Sequence, residues 1–216
     1  KARMDNYRPI ALMSVFAKPF DKVVARRYVT FGVRTGMIPK NHFGFLPGTG
    51  CEDCILYILD LIEREGNSVN GAHVVLLDFK SAFDTVPHEK LLETLRSFGI
   101  DGPALEFMKC SFAGRRGRVD VNNYKSEWRD DPKGLHQGWP VASIAFIYYV
   151  ADFAIIDEMP GIRMPCYADD TTIVSDGTVP RGPELEAVLN RAIEVARYIA
   201  RKKELIFVLS KQKYFV

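Results

Sequence analysis

Asp169 and Asp170 stand side by side in Tyr167-Ala168-Asp169-Asp170, between Cys166 and the β-type run Thr171-Thr172-Ile173-Val174. Two adjacent carboxylates at the tip of a predicted hairpin repel each other and oppose folding. A divalent cation shared with a third carboxylate removes that cost. The third candidate is Asp78, which ends the apolar, β-branched run His73-Val74-Val75-Leu76-Leu77. Such a run reads as a buried strand that delivers an acid at its tip. One Asp after a strand and an Asp pair on a hairpin form the ligand set of a two-metal phosphoryl-transfer site. Magnesium takes oxygen ligands and binds through one or two carboxylates plus substrate phosphates.

These acids need a scaffold, and the surrounding pattern supplies one. Pro19 is expected to open a helix reaching about Tyr28, with Phe20, Val23 and Val24 on its buried face. Residues 32–50 hold five Gly and two Pro and read as loop. Cys51, Ile55, Ile58, Leu59 and Ile62 recur at helical spacing up to Gly66. Pro87 opens a helix with Leu91, Leu92 and Leu95 inward, closed by Gly99, and Pro103 to Phe112 forms another. Arg118 to Val121 alternates, turns at Asn122-Asn123 and returns from Tyr124 to Trp128 as a hairpin. After the loop Gly134 to Pro140, Ser143 to Ile156 reads as a buried helix. Arg163 to Ser175 is the hairpin bearing the Asp pair. Pro183 to Lys203 carries an apolar stripe of Leu185, Val188, Leu189, Ala192, Val195, Ala196 and Ile199. Leu205 to Leu209 and Tyr214 to Val216 read as strands. The order implies an α+β fold, an antiparallel sheet backed by helices on one face.

The 216 residues, 47% of them hydrophobic, suit one globular unit of two lobes. A net charge of +2 decides nothing about nucleic acid; distribution matters more. The basic residues do cluster: Arg115, Arg116 and Arg118, then Arg197, Arg201, Lys202 and Lys203, then Lys211 and Lys213. No apolar run approaches the ~20 residues of a membrane span, so no membrane partner is expected. Cys51-x-x-Cys54 has neither a second Cys pair nor paired His at zinc spacing and reads as helix-start residues in a reducing compartment. The chain opens on Lys1 and closes within a strand pattern at Val216, as an excised segment would.

Five blocks in order resemble the fingers and palm of reverse transcriptases, most of all those of non-LTR retrotransposons. They are Tyr7-Arg8-Pro9-Ile10-Ala11-Leu12; Phe43-Gly44-Phe45 with Pro47-Gly48; Leu77 to His88; Gly134-Leu135-His136-Gln137-Gly138-Trp139-Pro140; and Tyr167 to Asp170, the "YADD" box. The resemblance covers nearly the whole chain. It implies a right-hand polymerase with residues 1–70 mostly fingers and 71–216 mostly palm, ending before the thumb. The implied activity is RNA-directed DNA polymerisation, with an RNA template, a DNA primer and dNTPs as partners. Two magnesium ions, with manganese a possible substitute, would sit on Asp78, Asp169 and Asp170.

The resemblance also gives roles to other residues. Phe83, five residues beyond Asp78, would pack beneath the sugar and leave no room for a 2′ hydroxyl, which favours deoxynucleotides. Arg8 would contact the triphosphate, since a guanidinium fork matches phosphate oxygens; Lys18 is a second choice. Gln137 and Gly138 would face the template or nucleotide, and Tyr167 would border the same site. Lys211 would protonate pyrophosphate as a general acid. Arg115, Arg116 and Arg118 are candidates for hybrid phosphates.

The chain departs from the family at His42 (commonly Gln), Leu46 (Arg), Cys51 (Thr), His136 (Pro), Trp139 (Ser) and Ala142-Ser143 (Ser-Pro). Trp139 is expected to crowd the nucleotide site. Two alternatives accompany the main reading: a group II intron-type or domesticated reverse transcriptase, and a catalytically silent RNA-binding scaffold. The intact acid trio speaks against the second. The sequence names no compartment; an intracellular setting, nuclear or cytoplasmic, is the expectation.

Overall fold

The computed structural model describes residues 10–66, 72–180 and 182–211, without the side chains of 65, 66 and 207–211. Arg8 and the predicted strand Tyr214 to Val216 lie outside these residues. The order begins with α1 (Ala17–Thr35), α2 (Cys51–Gly66), β1 (Val74–Phe79), α3 (His88–Ser97) and α4 (Gly102–Phe112). Four two-residue strands follow: β2 (Arg116–Gly117), β3 (Asp120–Val121), β4 (Tyr124–Lys125) and β5 (Arg129–Asp130). Then come α5 (Ala142–Val150), a 3-10 helix (Ala151–Ile156), β6 (Ile162–Arg163), β7 (Cys166–Tyr167), β8 (Asp170–Ser175), α6 (Pro183–Lys202) and β9 (Phe207–Lys211).

The main sheet runs β6-β8-β1-β9, with β7 also on β8, and every pairing between these strands is antiparallel. The α+β class follows, with β1 in the interior of the sheet. Along β1, Val75, Leu77 and Phe79 enter the main core, where Ile173 of β8 joins them. That core is filled by α5, whose Phe146, Ile147, Tyr148 and Tyr149 are fully buried. The α3 residues Leu91, Leu92 and Leu95 and the α6 residues Leu185, Leu189, Ala192 and Ala196 enclose it. Each buried Leu contributes roughly 1.5–3 kcal/mol. Tyr148 and Tyr149 spend their hydroxyls on the carbonyls of Tyr28 and Lys203.

The other face of the sheet is not bare. Val74 and Val174 meet Leu61 of α2, with Tyr57, Ile58 and Ile62 around them. Helices therefore cover both faces, a correction to the one-sided sheet expected. The reason lies in β1: its even positions are apolar at Val74 and polar only at Asp78, so α2 covers one end and leaves the acidic end open. Within α2, Ile55 and Leu59 point outward while Cys54 and Leu61 are buried. Asp53 accepts a hydrogen bond from the Gly50 amide at 2.7 Å, fixing the helix start.

Helix α1 departs most from expectation. It continues past Tyr28 to Thr35 and ends at Gly36 with φ 71. Gly32 is helical because a Cβ there would lie 2.6 Å from both Ile38 and the Tyr148 hydroxyl, so it permits close packing. Its buried residues are Asp21, Tyr28 and Gly32, whereas Phe20 and Val23 are exposed. Elsewhere the local signals hold. Asn122 and Asn123 both adopt positive φ between β3 and β4. No helix among the described residues is long and apolar enough to cross a membrane.

Candidate polymerase active site

Three acids come together at one end of the sheet. β7 and β8 form a hairpin in which Tyr167 pairs with Asp170, leaving Ala168 and Asp169 as its two-residue turn. Ala168 sits at φ 58, a left-handed conformation that costs a non-glycine residue about 1–2 kcal/mol. Such strain tends to be kept where a side chain must be aimed. In the β1–β8 ladder Leu77 faces Thr171. Asp78 and Asp170 are the next residues along the two strands, just past that pair. Both are exposed, and Asp169 beside them is partly buried. On its other side, β1 shifts register against β9 between Leu76 and Asp78. Bulges of this kind re-aim side chains near active sites.

Like charges directly opposite each other destabilise a sheet. An open strand end carrying Asp78, Asp169 and Asp170 therefore suits a hard divalent cation. Among the described residues, no three His, Cys, Asp or Glu side chains cage an ion by themselves. Magnesium sites that complete their shell with substrate phosphates need no such cage.

The turn is held from behind by residues 41–45. Cys166 donates its amide to Asn41, and Phe43 donates its own to Cys166, each at 2.8 Å. Gly44 touches the turn directly: a Cβ there would lie 2.5 Å from the Ala168 amide nitrogen. His42 is buried on the same stretch, its pKa lowered to about 4 by desolvation, so it is a neutral ring. Burial likewise pushes the Cys54 thiol up to about 11 and that of Cys166 to about 12, which leaves both unreactive.

A row of aromatic rings leads away from the acids. Tyr167 stacks on Phe45 at 6.4 Å, Phe45 meets Phe83 edge-on at 6.5 Å, and Phe83 stacks on Phe146 at 4.4 Å. Phe83 is thus stacked on the core through Phe146 and joined to the 41–45 segment through Phe45. Phe45 went unremarked as a site residue in the sequence. It is half exposed and held at φ 59. Its signal was an aromatic residue in a Gly- and Pro-rich loop with no apolar periodicity to bury it.

The loop carrying Gln137 and Gly138 is sewn to the same region. Leu135 donates its amide to Phe83 and Gly134 to Val86, both at 2.8 Å. Ala11 donates to the Gln137 carbonyl at 2.9 Å, so the N-terminal block adjoins this loop. Gly138 has φ 102, and a Cβ would crowd the Ala11 carbonyl at 3.1 Å. Lys18 lies exposed in the first turn of α1. Lys211 ends β9 with its backbone opposite Leu76, close along the ladder to Asp78.

Two expectations are corrected. Trp139 does not stand open toward a nucleotide site: it is buried and edge-on to Phe112 at 5.8 Å. Burial raises the pKa of the nearby Asp21 carboxyl, and the Trp139 indole partly offsets the rise. Trp139→Ser is therefore expected to cost about 3–5 kcal/mol of stability in urea denaturation. A variant as stable as the parent but with altered dNTP affinity would return Trp139 to the substrate side. Arg115 is not available to phosphates either: it pairs with Asp131 at 3.2 Å and donates to the Gly134 carbonyl at 3.2 Å. Arg116 stays exposed, and Arg118 lies over the Trp128 ring at 4.8 Å.

A mixed fold with an antiparallel sheet and an acidic strand end is what known proteins are compared with. The family described as reverse transcriptase (RNA-dependent DNA polymerase) matches residues 1–215, and the chain belongs to it. Its relatives are non-LTR retrotransposon proteins. A Retrovirus-related Pol polyprotein from the type-2 retrotransposable element R2DM of Drosophila melanogaster is 27% identical over 145 residues, 67% of this chain and 13% of that protein. The RNA-directed DNA polymerase from mobile element jockey of Drosophila funebris is 24% identical over 180 residues, 81% of this chain and 20% of that protein. The chain thus spans a fifth or less of these relatives. Among solved structures, telomerase from Candida albicans in complex with a telomeric RNA fragment superposes with TM-score 0.65 at 12% identity, covering 93% of this chain and 35% of that one. Telomerase from Candida tropicalis gives 0.64 at 10% identity, covering 93% and 33%. At such identities the likeness is one of fold.

Proposed function

We propose that the chain is the fingers (mostly 1–70) and palm (mostly 71–216) of an RNA-directed DNA polymerase of a non-LTR-type retroelement. It would add dNTPs to a DNA primer on an RNA template. What supports this reading is that the β1–β8 ladder runs to Leu77 and Thr171, the residues next to Asp78 and Asp170, with Asp169 in the adjoining turn and the Tyr167–Phe45–Phe83 row leading from it. Two magnesium ions, or manganese, would be held by these acids and the triphosphate, and when bound they supply activation of the 3′ hydroxyl and neutralisation of the departing pyrophosphate.

The chain's own residues do the rest. Asp78, Asp169 and Asp170 fix the position of reaction on a rigid strand pair. The primer 3′ oxygen bonds to the α-phosphorus as the bond to pyrophosphate breaks; the hydroxyl proton passes to solvent water, and Lys211 gives a proton to the pyrophosphate and is reprotonated from solvent. Arg8 would hold the triphosphate. Gln137 and Gly138 would receive the template–nucleotide pair, the glycine allowing close backbone approach.

Phe83 would close the space below the sugar's 2′ carbon, and this makes the reading testable. Phe83→Ala is expected to shift kcat/KM toward ribonucleotides by at least about tenfold, or ~1.4 kcal/mol. An unchanged ratio in a folded variant would confine Phe83 to packing on Phe146.

A further inference from the structure

The residues just ahead of Gln137 form a closed ring of contacts. His136 Nε2 donates to Asp131 Oδ2 at 2.5 Å, and the Arg115 guanidinium forms an ion pair with the same oxygen at 3.2 Å. Arg115 then reaches the Gly134 carbonyl at 3.2 Å, where His88 also donates at 2.9 Å. The His88 ring lies flat on Phe112 at 4.0 Å, fixing the far side of the ring in the core. The Arg115 side chain is only 14% exposed, and those of Asp131 and His136 are 29% and 33% exposed. These are sheltered bonds that solvent weakens little.

The backbone shows what this ring controls. The amides of Gly134 and Leu135 are tied to Val86 and Phe83, and the Gln137 carbonyl is tied to Ala11. Between those anchors, His136 directly precedes Gln137 and carries the side-chain bond to Asp131. Its carbonyl also accepts the Trp139 amide at 3.1 Å, closing the turn over Gly138. Asp131 belongs to a different element, following β5, and the Asp131 amide is held by the Arg115 carbonyl at 3.0 Å. The His136–Asp131 bond therefore ties the substrate loop to the base of the 115–131 hairpin.

We propose that His136 is a positioning residue: clasped by Asp131 and Arg115, it pre-orients the Gln137–Gly138 loop for the template–nucleotide pair. This rests on the reading that Gln137 faces substrate. A pre-ordered loop pays less ordering cost on binding, so the clasp should act on affinity more than on the chemical step.

The test measures dNTP KM and kcat in RNA-templated extension, together with hydrogen exchange of the 132–138 amides, for four variants. His136→Leu and Asp131→Asn are expected to raise KM about tenfold, the size of one hydrogen bond to a charged group, with kcat changed less than about threefold. Exchange should quicken in 132–138 and not in α5. His136→Gln, which keeps a donor, should restore most of both. Equal KM and equal loop exchange in His136→Leu and the parent would overturn the clasp. Faster exchange spread through the core, with no rescue by Gln, would reduce His136 to a structural role and overturn it as well. The fourth variant, Gln137→Ala, separates the two readings. If it leaves KM unchanged while His136→Leu frees the loop, the substrate role of Gln137 fails and the clasp on the loop stands. If it raises KM while His136→Leu changes nothing, the clasp alone fails.

Discussion

Asp169→Ala is expected to lower primer extension by about 10³-fold or more while the thermal midpoint stays unchanged or rises slightly. A metal ligand stabilises transition-state charge by several kcal/mol, and each ~1.4 kcal/mol is tenfold in rate. The stability expectation has a separate origin. Asp169 shares the open strand end with Asp170 and, across the ladder, Asp78, so removing one carboxylate lowers repulsion in the metal-free protein. Asp78→Ala should behave alike, and Asp170→Ala should leave a trace of activity. Circular dichroism melting without metal, alongside kcat, checks both halves. Near-parental extension by Asp169→Ala would end the two-metal assignment.

Gly44→Ala is the second large effect, and it arises without touching substrate. A Cβ at Gly44 would meet the Ala168 amide nitrogen at 2.5 Å, the Tyr167 carbonyl carbon at 3.2 Å and Ala168 Cα at 3.3 Å. All three are backbone atoms, so no flexible side chain can yield. The 41–45 segment must move off β7, stretching the Phe43–Cys166 hydrogen bond, or the turn carrying Asp169 must shift. Overpacking of this kind costs about 1–3 kcal/mol. A displacement near 1 Å at the reacting groups can cost roughly 10² in rate. The paired measurements are urea denaturation and kcat. A variant with parental kcat would show that the contact between Gly44 and the turn is dispensable.

What could be read in advance follows from how far each signal reaches along the chain. The hairpin bearing Asp169 and Asp170, the strand ending in Asp78, the Leu91-Leu92-Leu95 face of α3 and the Asn122-Asn123 turn are local patterns, and each appears where the pattern put it. Local rules failed where a distant partner decided the outcome. Gly32 looked like a helix breaker but is a contact point for Tyr148, so α1 runs on to Thr35. Phe20 and Val23 fit an apolar stripe, yet Asp21 is the buried residue, its environment shaped by Trp139 more than a hundred positions away. Arg115 looked like a phosphate ligand, and the structure commits it to Asp131. Phe45, Gly44 and His136 carried little periodic signal, because their roles depend on Tyr167, Ala168 and Asp131 in other elements.

The central claim is that these acids add deoxynucleotides on an RNA template. The measurement closest to it is incorporation of labelled dTTP by this chain on poly(rA)/oligo(dT) with magnesium, set beside the same reaction without the RNA strand. Extension is expected to require the RNA strand and the metal and to disappear in Asp78→Ala. Incorporation that persists without template, or that survives loss of Asp78, would contradict it.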